Sequence, residues 1–210
     1  MKPPAARLLA AAIEQFGRLG LDGATTRAIA QAASTPMSQI TYHFGGKEGL
    51  YLAAARHIAE EVSRRVGTAV LGPSTHVTDP ASKLLAMLDG YTQVLLSPEI
   101  AAWAPFIVRE QLNPTPAFEI LYSNAIGKVV DCAAALIAAV SDDRCNHTEA
   151  RIRAIAVIGQ ALVFRLGRAT VLRSTGWGKV GHNERDTIRA IVRAHTASIL
   201  ADLSAASADA

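Results

Sequence analysis

Cysteine is almost missing: Cys132 and Cys145 are the two in 210 residues. Two thiols make no disulfide framework for a chain of this length, and a reducing compartment fits. Charge-free apolar runs are short, and stretches such as 133–140 stop far below the roughly 18 residues a membrane span needs. No transmembrane helix is expected. The opening segment carries Arg7, and its apolar patch stops at Glu14, which makes a poor signal peptide and leaves the cytoplasm as the default. Period-2 stretches rich in Val, Ile and Thr are lacking, which argues against a sheet. Catalytic signatures are lacking too, with no HExxH and no GxSxG. Gly45, Gly46 and Lys47 miss the phosphate-loop spacing at the first glycine and at the closing hydroxyl, and Cys145 and His147 fall in a loop rather than at ligand spacing. No catalytic residue, metal or cofactor is expected, and the chain is read as no enzyme.

What is present is helix. Half of the residues are apolar, enough for a substantial core, and their periodicity is helical from end to end. The fold class is all-α. A first helix runs from about Pro4 to about Leu19, with Leu8, Leu9, Ala12, Ile13 and Phe16 on one face and Gly20 to Gly23 as a turn. Thr25 caps a short helix ending near Ala33, Ser34-Thr35-Pro36 breaks the chain, and a second short helix reaches Phe44. Tyr42 and Phe44 cannot share a helix face, so Phe44 is expected inward and Tyr42 outward. After Gly45 and Gly46 a long helix spans about 47–70. Two short helices braced by a third have the shape of a helix-turn-helix. A linker covers about 72–80, and further helices are expected at about 80–96, 98–112, 115–140, 148–173 and 184–204.

Charge is distributed unevenly. Residues 1–65 hold eight Lys and Arg against five acids, whereas residues 66–210 hold thirteen of each sign. The excess therefore lies where a polyanion could be met.

The stretch from Gly20 to Ala33, with Thr25, Thr26, Ile29 and Ala30, followed by Ile40-Thr41-Tyr42-His43-Phe44-Gly45-Gly46-Lys47-Glu48-Gly49-Leu50-Tyr51, resembles the DNA-binding domain of the TetR family. Ser34-Thr35 stands where that pattern usually has Gly-Val, Ser38 replaces a small Gly or Pro, and Thr41 replaces the first Tyr of Tyr-Tyr-His-Phe. The resemblance implies that residues 1–65 form the DNA-binding domain, with its helix-turn-helix at 25–44. Residues 66–210 would form a helical domain that binds ligand and dimerises. It implies Met37, Ser38, Gln39 and Thr41 facing the groove, Thr26 and Arg27 opening the first helix toward the DNA, Pro36 among the DNA-binding residues, and Tyr42, His43 and Lys47 at phosphates. The chemistry agrees: Gln39 can pair with adenine, Arg27 with guanine, and Met37 can meet a thymine methyl.

The resemblance further implies double-stranded operator DNA as partner, a homodimer, and a repressor released by a small hydrophobic or amphipathic inducer. In the expected two-fold bundle, Ile155, Gly159, Leu162 and Leu166 line one stripe and Ile188, Ile191, His195 and Ile199 another. Aromatic walls with a few polar groups describe a ligand site, which nominates Met87, Tyr91, Trp103, Phe106, Arg109, Glu110, Phe118 and Tyr122. A dimeric DNA-binding adaptor governed by a protein partner is the alternative. The segment from Arg109 to Phe118 is similar to a CecR-like subgroup, associated with export pumps and toxic compounds.

Overall fold

The computed structural model describes residues 3–70, 79–142 and 144–205. Among them lie helices α1 (Pro4–Gly23), α2 (Thr26–Ala32), α3 (Ser38–Phe44), α4 (Lys47–Val70), α5 (Pro80–Leu95), α6 (Pro98–Leu112) and α7 (Pro116–Leu121). A π turn (Tyr122–Ile126) then leads into α8 (Gly127–Val140), followed by α9 (His147–Leu166), α10 (Arg168–Thr175) and α11 (His182–Ala205). No strand occurs among the described residues. The expected linker at 72–80 lies, up to residue 78, outside them.

Two compact units emerge. The first joins residues 1–63 with 98–126, and the second joins 64–97 with 127–210. Helices α6 and α7 thus pack with the N-terminal helices, a grouping that sequence order does not suggest. The reason is a shared core: Phe106, Ala117, Leu121 and Ala125 are buried with Leu8, Ala12, Phe16, Ile29, Ile40, Leu50 and Ile58. Gly17 permits the close approach, since a Cβ there would stand 3.2 Å from the Phe106 backbone and from Pro105.

Three expected boundaries come out differently, each for a local reason. Gly20 breaks α1 with φ 75, but a further helical turn continues to Gly23. Arg109 fills the space beside Gly20, its guanidinium 3.0 Å from where a Cβ would sit, and donates to the Arg18 carbonyl at 3.0 Å. The helix expected at 115–140 is divided by the π turn into α7 and α8. The helix expected at 148–173 bends by 73° between α9 and α10. Gly167, at the joint, donates to the Val163 carbonyl and closes α9.

The stretch Pro116–Val140 is, by length and hydropathy, apolar enough to cross a membrane, although it contains no charge-free run of that length. It carries Glu119, Lys128 and Asp131. Ala117, Leu121 and Ala125 are buried in the first unit, and Val129, Val130, Ala133 and Ile137 in the second, with 39% of the stretch's most apolar window buried.

A buried polar network fastens the first unit. Glu110 on α6 is 0% exposed, and its carboxyl accepts the Tyr51 hydroxyl from α4, the Thr115 amide at 3.0 Å and the Thr115 hydroxyl at 2.9 Å. The same Thr115 hydroxyl accepts from the Ala117 amide and caps α7. The Tyr51 ring lies 4.8 Å from Phe16 and 4.8 Å from Phe106. Burial first, and the bond to Glu110 second, push the Tyr51 phenol well above its ordinary value.

At the joint of α3 and α4 the constraint is steric. A Cβ on Gly49 would stand 1.8 Å from the Phe44 carbonyl oxygen, so only glycine lets α4 begin against the end of α3. Gly45 closes α3 in the left-handed conformation, its amide donating to Thr41.

In the second unit, Arg189 on α11 reaches Asp89 on α5 at 2.9 Å, and Arg151 on α9 pairs with Asp131 on α8. Arg165 donates at 2.7 Å to the carbonyls of Leu95 and Ser97, closing the end of α5.

Tyr51→Phe leaves a buried acceptor short of a donor and should cost about 1–3 kcal/mol, measured by urea unfolding. Because the folded phenol titrates above the unfolded one, its contribution is intact below about pH 10 and is lost as pH rises through the folded value. The absorption of the Tyr51 phenolate should therefore appear only as helicity is lost. Its growth with helicity intact would exclude the buried bond. Gly49→Ala should cost about 3 kcal/mol by overpacking against backbone, whereas Gly67→Ala, with nothing within 4 Å of the added Cβ, should be neutral or stabilising by up to about 1 kcal/mol. Equal effects in thermal melts would contradict the joint.

Candidate nucleic-acid interface

From residue 23 to residue 47 the sequence contains no Asp or Glu, while carrying Arg27, His43 and Lys47. This acid-free run forms α2, the turn and α3. The Thr25 hydroxyl accepts from the Ala28 amide and starts α2. Ile29 and Ala30 face the core, which leaves Arg27 exposed and Thr26 half-buried.

Helix α3 is anchored by Ile40, buried, and Phe44, half-buried, one helical turn apart. Its other face is open. Met37 is 55% and Tyr42 80% exposed, and Pro36, Ser38, Thr41 and His43 are exposed beside them. The inward Phe44 and outward Tyr42 agree with the periodicity. The Tyr42 and His43 rings meet edge to face at 4.9 Å, and the Thr26 hydroxyl lies 3.6 Å from the Met37 sulfur. The structure thus gathers Thr26, Arg27, Pro36, Met37, Thr41, Tyr42 and His43 on α2, the turn and α3, with Gln39 half-buried among them. Lys47 is held differently: its ammonium donates to the Asp22 carbonyl at 3.3 Å, across the start of α4. Such a surface offers cations, amide and hydroxyl groups and a soft apolar tip, the chemistry that meets phosphates and base edges in a major groove.

The nominated ligand-site residues are dispersed. Phe106 is buried core, Glu110 is spent on Tyr51 and Thr115, and Arg109 on the end of α1. Each of these three has a partner more than 50 positions away that periodicity does not reveal: Phe106 and Glu110 meet Tyr51, and Arg109 meets Arg18. Trp103 is half-buried, 6.3 Å from the His57 ring, and Phe118 stacks on Tyr122 at 5.8 Å. Met87 and Tyr91 belong to the second unit, where burial pushes the Tyr91 phenol up to about 12.

Of the nominated dimer residues, Ile155, Leu166, Ile191 and His195 are exposed, and Gly159, Leu162 and Ile199 are half-buried. Ile152 and Val163 extend the exposed row on α9. Ile188 is 1% exposed and packs with Leu96 and Val192. Sequence reasoning also passed over Arg7, Thr35 and Gly49. Their roles depend on contacts across the fold, and only Gly49, a glycine in the first turn of a helix, carried a local signal.

Residues 8–54 match the family model for bacterial regulatory proteins of the tetR family, and residues 80–203 match the C-terminal domain of the HTH-type transcriptional dual regulator CecR. The CecR protein of Shigella flexneri is 33% identical over 205 residues, covering 94% of this chain and 92% of its own. A solved transcriptional regulator from Pseudomonas aeruginosa PAO1 shares the fold, with a TM-score of 0.68 at 18% identity, over 94% of this chain and 90% of that one. AibR, solved with isovaleryl coenzyme A and operator DNA, has a TM-score of 0.63 at 16% identity, over 90% of this chain and 96% of its own. The chain belongs to the TetR family of DNA-binding transcriptional regulators and carries a CecR-type C-terminal domain.

Proposed function

We propose that the protein is a repressor that binds a near-palindromic operator as a homodimer, through the outer face of α3, and is released by a small hydrophobic or amphipathic inducer. The carrying observation is the acid-free run at 23–47, whose residues Met37, Thr41, Tyr42 and His43 are exposed while Ile40 and Phe44 anchor α3. On this reading residues 1–65 bind DNA and residues 66–210 take the inducer and dimerise, in the cytoplasm. Arg27 and Gln39 read base edges, and Tyr42, His43 and Lys47 hold phosphates, Lys47 after leaving the Asp22 carbonyl.

The exposed apolar row on α9, with Ile191 on α11, supports a homodimer, because a contiguous apolar surface of this kind is normally covered. A two-fold pair would present two copies of α3 to successive major grooves about 34 Å apart. An inducer acts by binding one conformation better than the other. That AibR was solved with both isovaleryl coenzyme A and operator DNA supports a small-molecule effector in this fold, and the description of the Shigella relative as a dual regulator leaves room for activation at some promoters.

Selection of bound duplexes from a random library should enrich a palindrome, and the enrichment should vanish for the double variant Tyr42→Ala, Lys47→Ala. A non-palindromic product, or binding indifferent to those residues, would contradict the reading. Ile155→Glu should yield monomers in sedimentation and lower operator affinity about 100-fold or more by losing the second half-site. An intact dimer would remove α9 from the interface.

A further inference from the structure

The turn that sets the angle between α2 and α3 is built without glycine. The Thr35 amide donates to the Ala30 carbonyl and the Ser34 amide to the Gln31 carbonyl, both at 3.0 Å, the hydrogen-bond pattern that closes helices around a left-handed residue. That residue is Ser34, at φ 48, a conformation that disfavours any side chain with a Cβ and is commonly filled by glycine.

A side chain from another helix compensates. The Arg7 guanidinium, on α1, donates from Nη2 to the Thr35 hydroxyl at 3.2 Å and to the Ser34 carbonyl at 3.4 Å. The Thr35 hydroxyl donates onward to the Ala33 carbonyl at 3.0 Å. Thr35 is buried at 8% exposure and Arg7 Nε is enclosed by protein. Arg7 thus bridges the Ser34 carbonyl and the Thr35 hydroxyl of the strained turn through Nη2, and Pro36 and Met37, the lead into α3, follow immediately.

We propose that Arg7 is a positioning residue for operator recognition: its guanidinium clamps the Ser34-Thr35 turn and so fixes the angle at which α3 meets DNA, without itself touching DNA. The inference rests on α3 being the element that enters the groove. A phosphate-binding arginine would act through charge, whereas this one acts through Thr35 and the turn. The two roles differ in salt dependence, in discrimination between duplexes, and in what can replace the clamp.

The test uses the full-length chain, the selected palindromic duplex and an unrelated duplex of equal length. Arg7→Ala should weaken binding to the palindrome about tenfold, on the scale of one misread base pair, with little change on the unrelated duplex and an unchanged slope of affinity against salt. Thr35→Val, which keeps the charge of Arg7 but removes the relay, should weaken it similarly. Ser34→Gly, which relaxes the turn, should restore Arg7→Ala to within about threefold of wild type. Circular dichroism melts check folding, and if Arg7→Ala alone is unfolded, Thr35→Val and the Arg7→Ala, Ser34→Gly pair carry the test. Loss on both duplexes with a salt slope lower by about one, or no rescue by Ser34→Gly, would make Arg7 a phosphate contact or a mere stabiliser and overturn the proposal. Unchanged affinity for the palindrome would overturn it as well. A wild-type chain that selects no duplex would overturn the reading of α3 and the proposal with it, a failure distinguishable because it appears before any substitution.

Discussion

Glu110 is the group on which the first unit depends. A carboxyl group fully removed from water is expensive to bury unless its oxygens are hydrogen-bonded, and here Tyr51 and Thr115 supply the donors. The arrangement is demanding because it is asymmetric: made, each bond contributes little net stability, but with one donor gone the unsatisfied acceptor costs far more. Three helices are therefore tied by one side chain, α6 through Glu110 itself, α4 through Tyr51 and α7 through its cap Thr115. Around this polar point the Phe16, Tyr51 and Phe106 rings pack into one apolar cluster.

The position of Tyr51 makes this tie matter for DNA reading. It lies about one helical turn after the start of α4, the end that carries Lys47 and abuts the last turn of α3. Gly49, between them, leaves no slack against the Phe44 carbonyl. Displacing α6 then obliges α4 to follow or breaks the bond to Glu110. In the proposed regulation, an effector that binds better to a displaced α6 would act on the recognition helix through this tie.

Much of this was legible in the sequence. Thr25 as a cap, the start of α4 at Lys47 and the inward Phe44 follow from local chemistry, and the order Ile40 to Tyr51 pointed to the family that the comparisons establish. What stayed illegible is tertiary. Arg109 and Glu110 sit beside aromatic residues, and nothing local reveals that the end of α1 and Tyr51 bind them. Ile188 shares a helical stripe with Ile191, yet Ile188 packs with Leu96 and Val192 while Ile191 stays exposed. The bend at Gly167 replaced one long helix by two, since helical periodicity continues through a glycine whose amide ends the helix.

Glu110, bonded to Tyr51, makes α6 part of the unit that carries α2 and α3. Native-state hydrogen exchange on the wild type and on Tyr51→Phe tests this directly. Amides of α6 and of residues 47–63 should open with one shared free energy, and the substitution should lower both together. Exchange of α6 in step with α8 and α11, untouched by Tyr51→Phe, would contradict it.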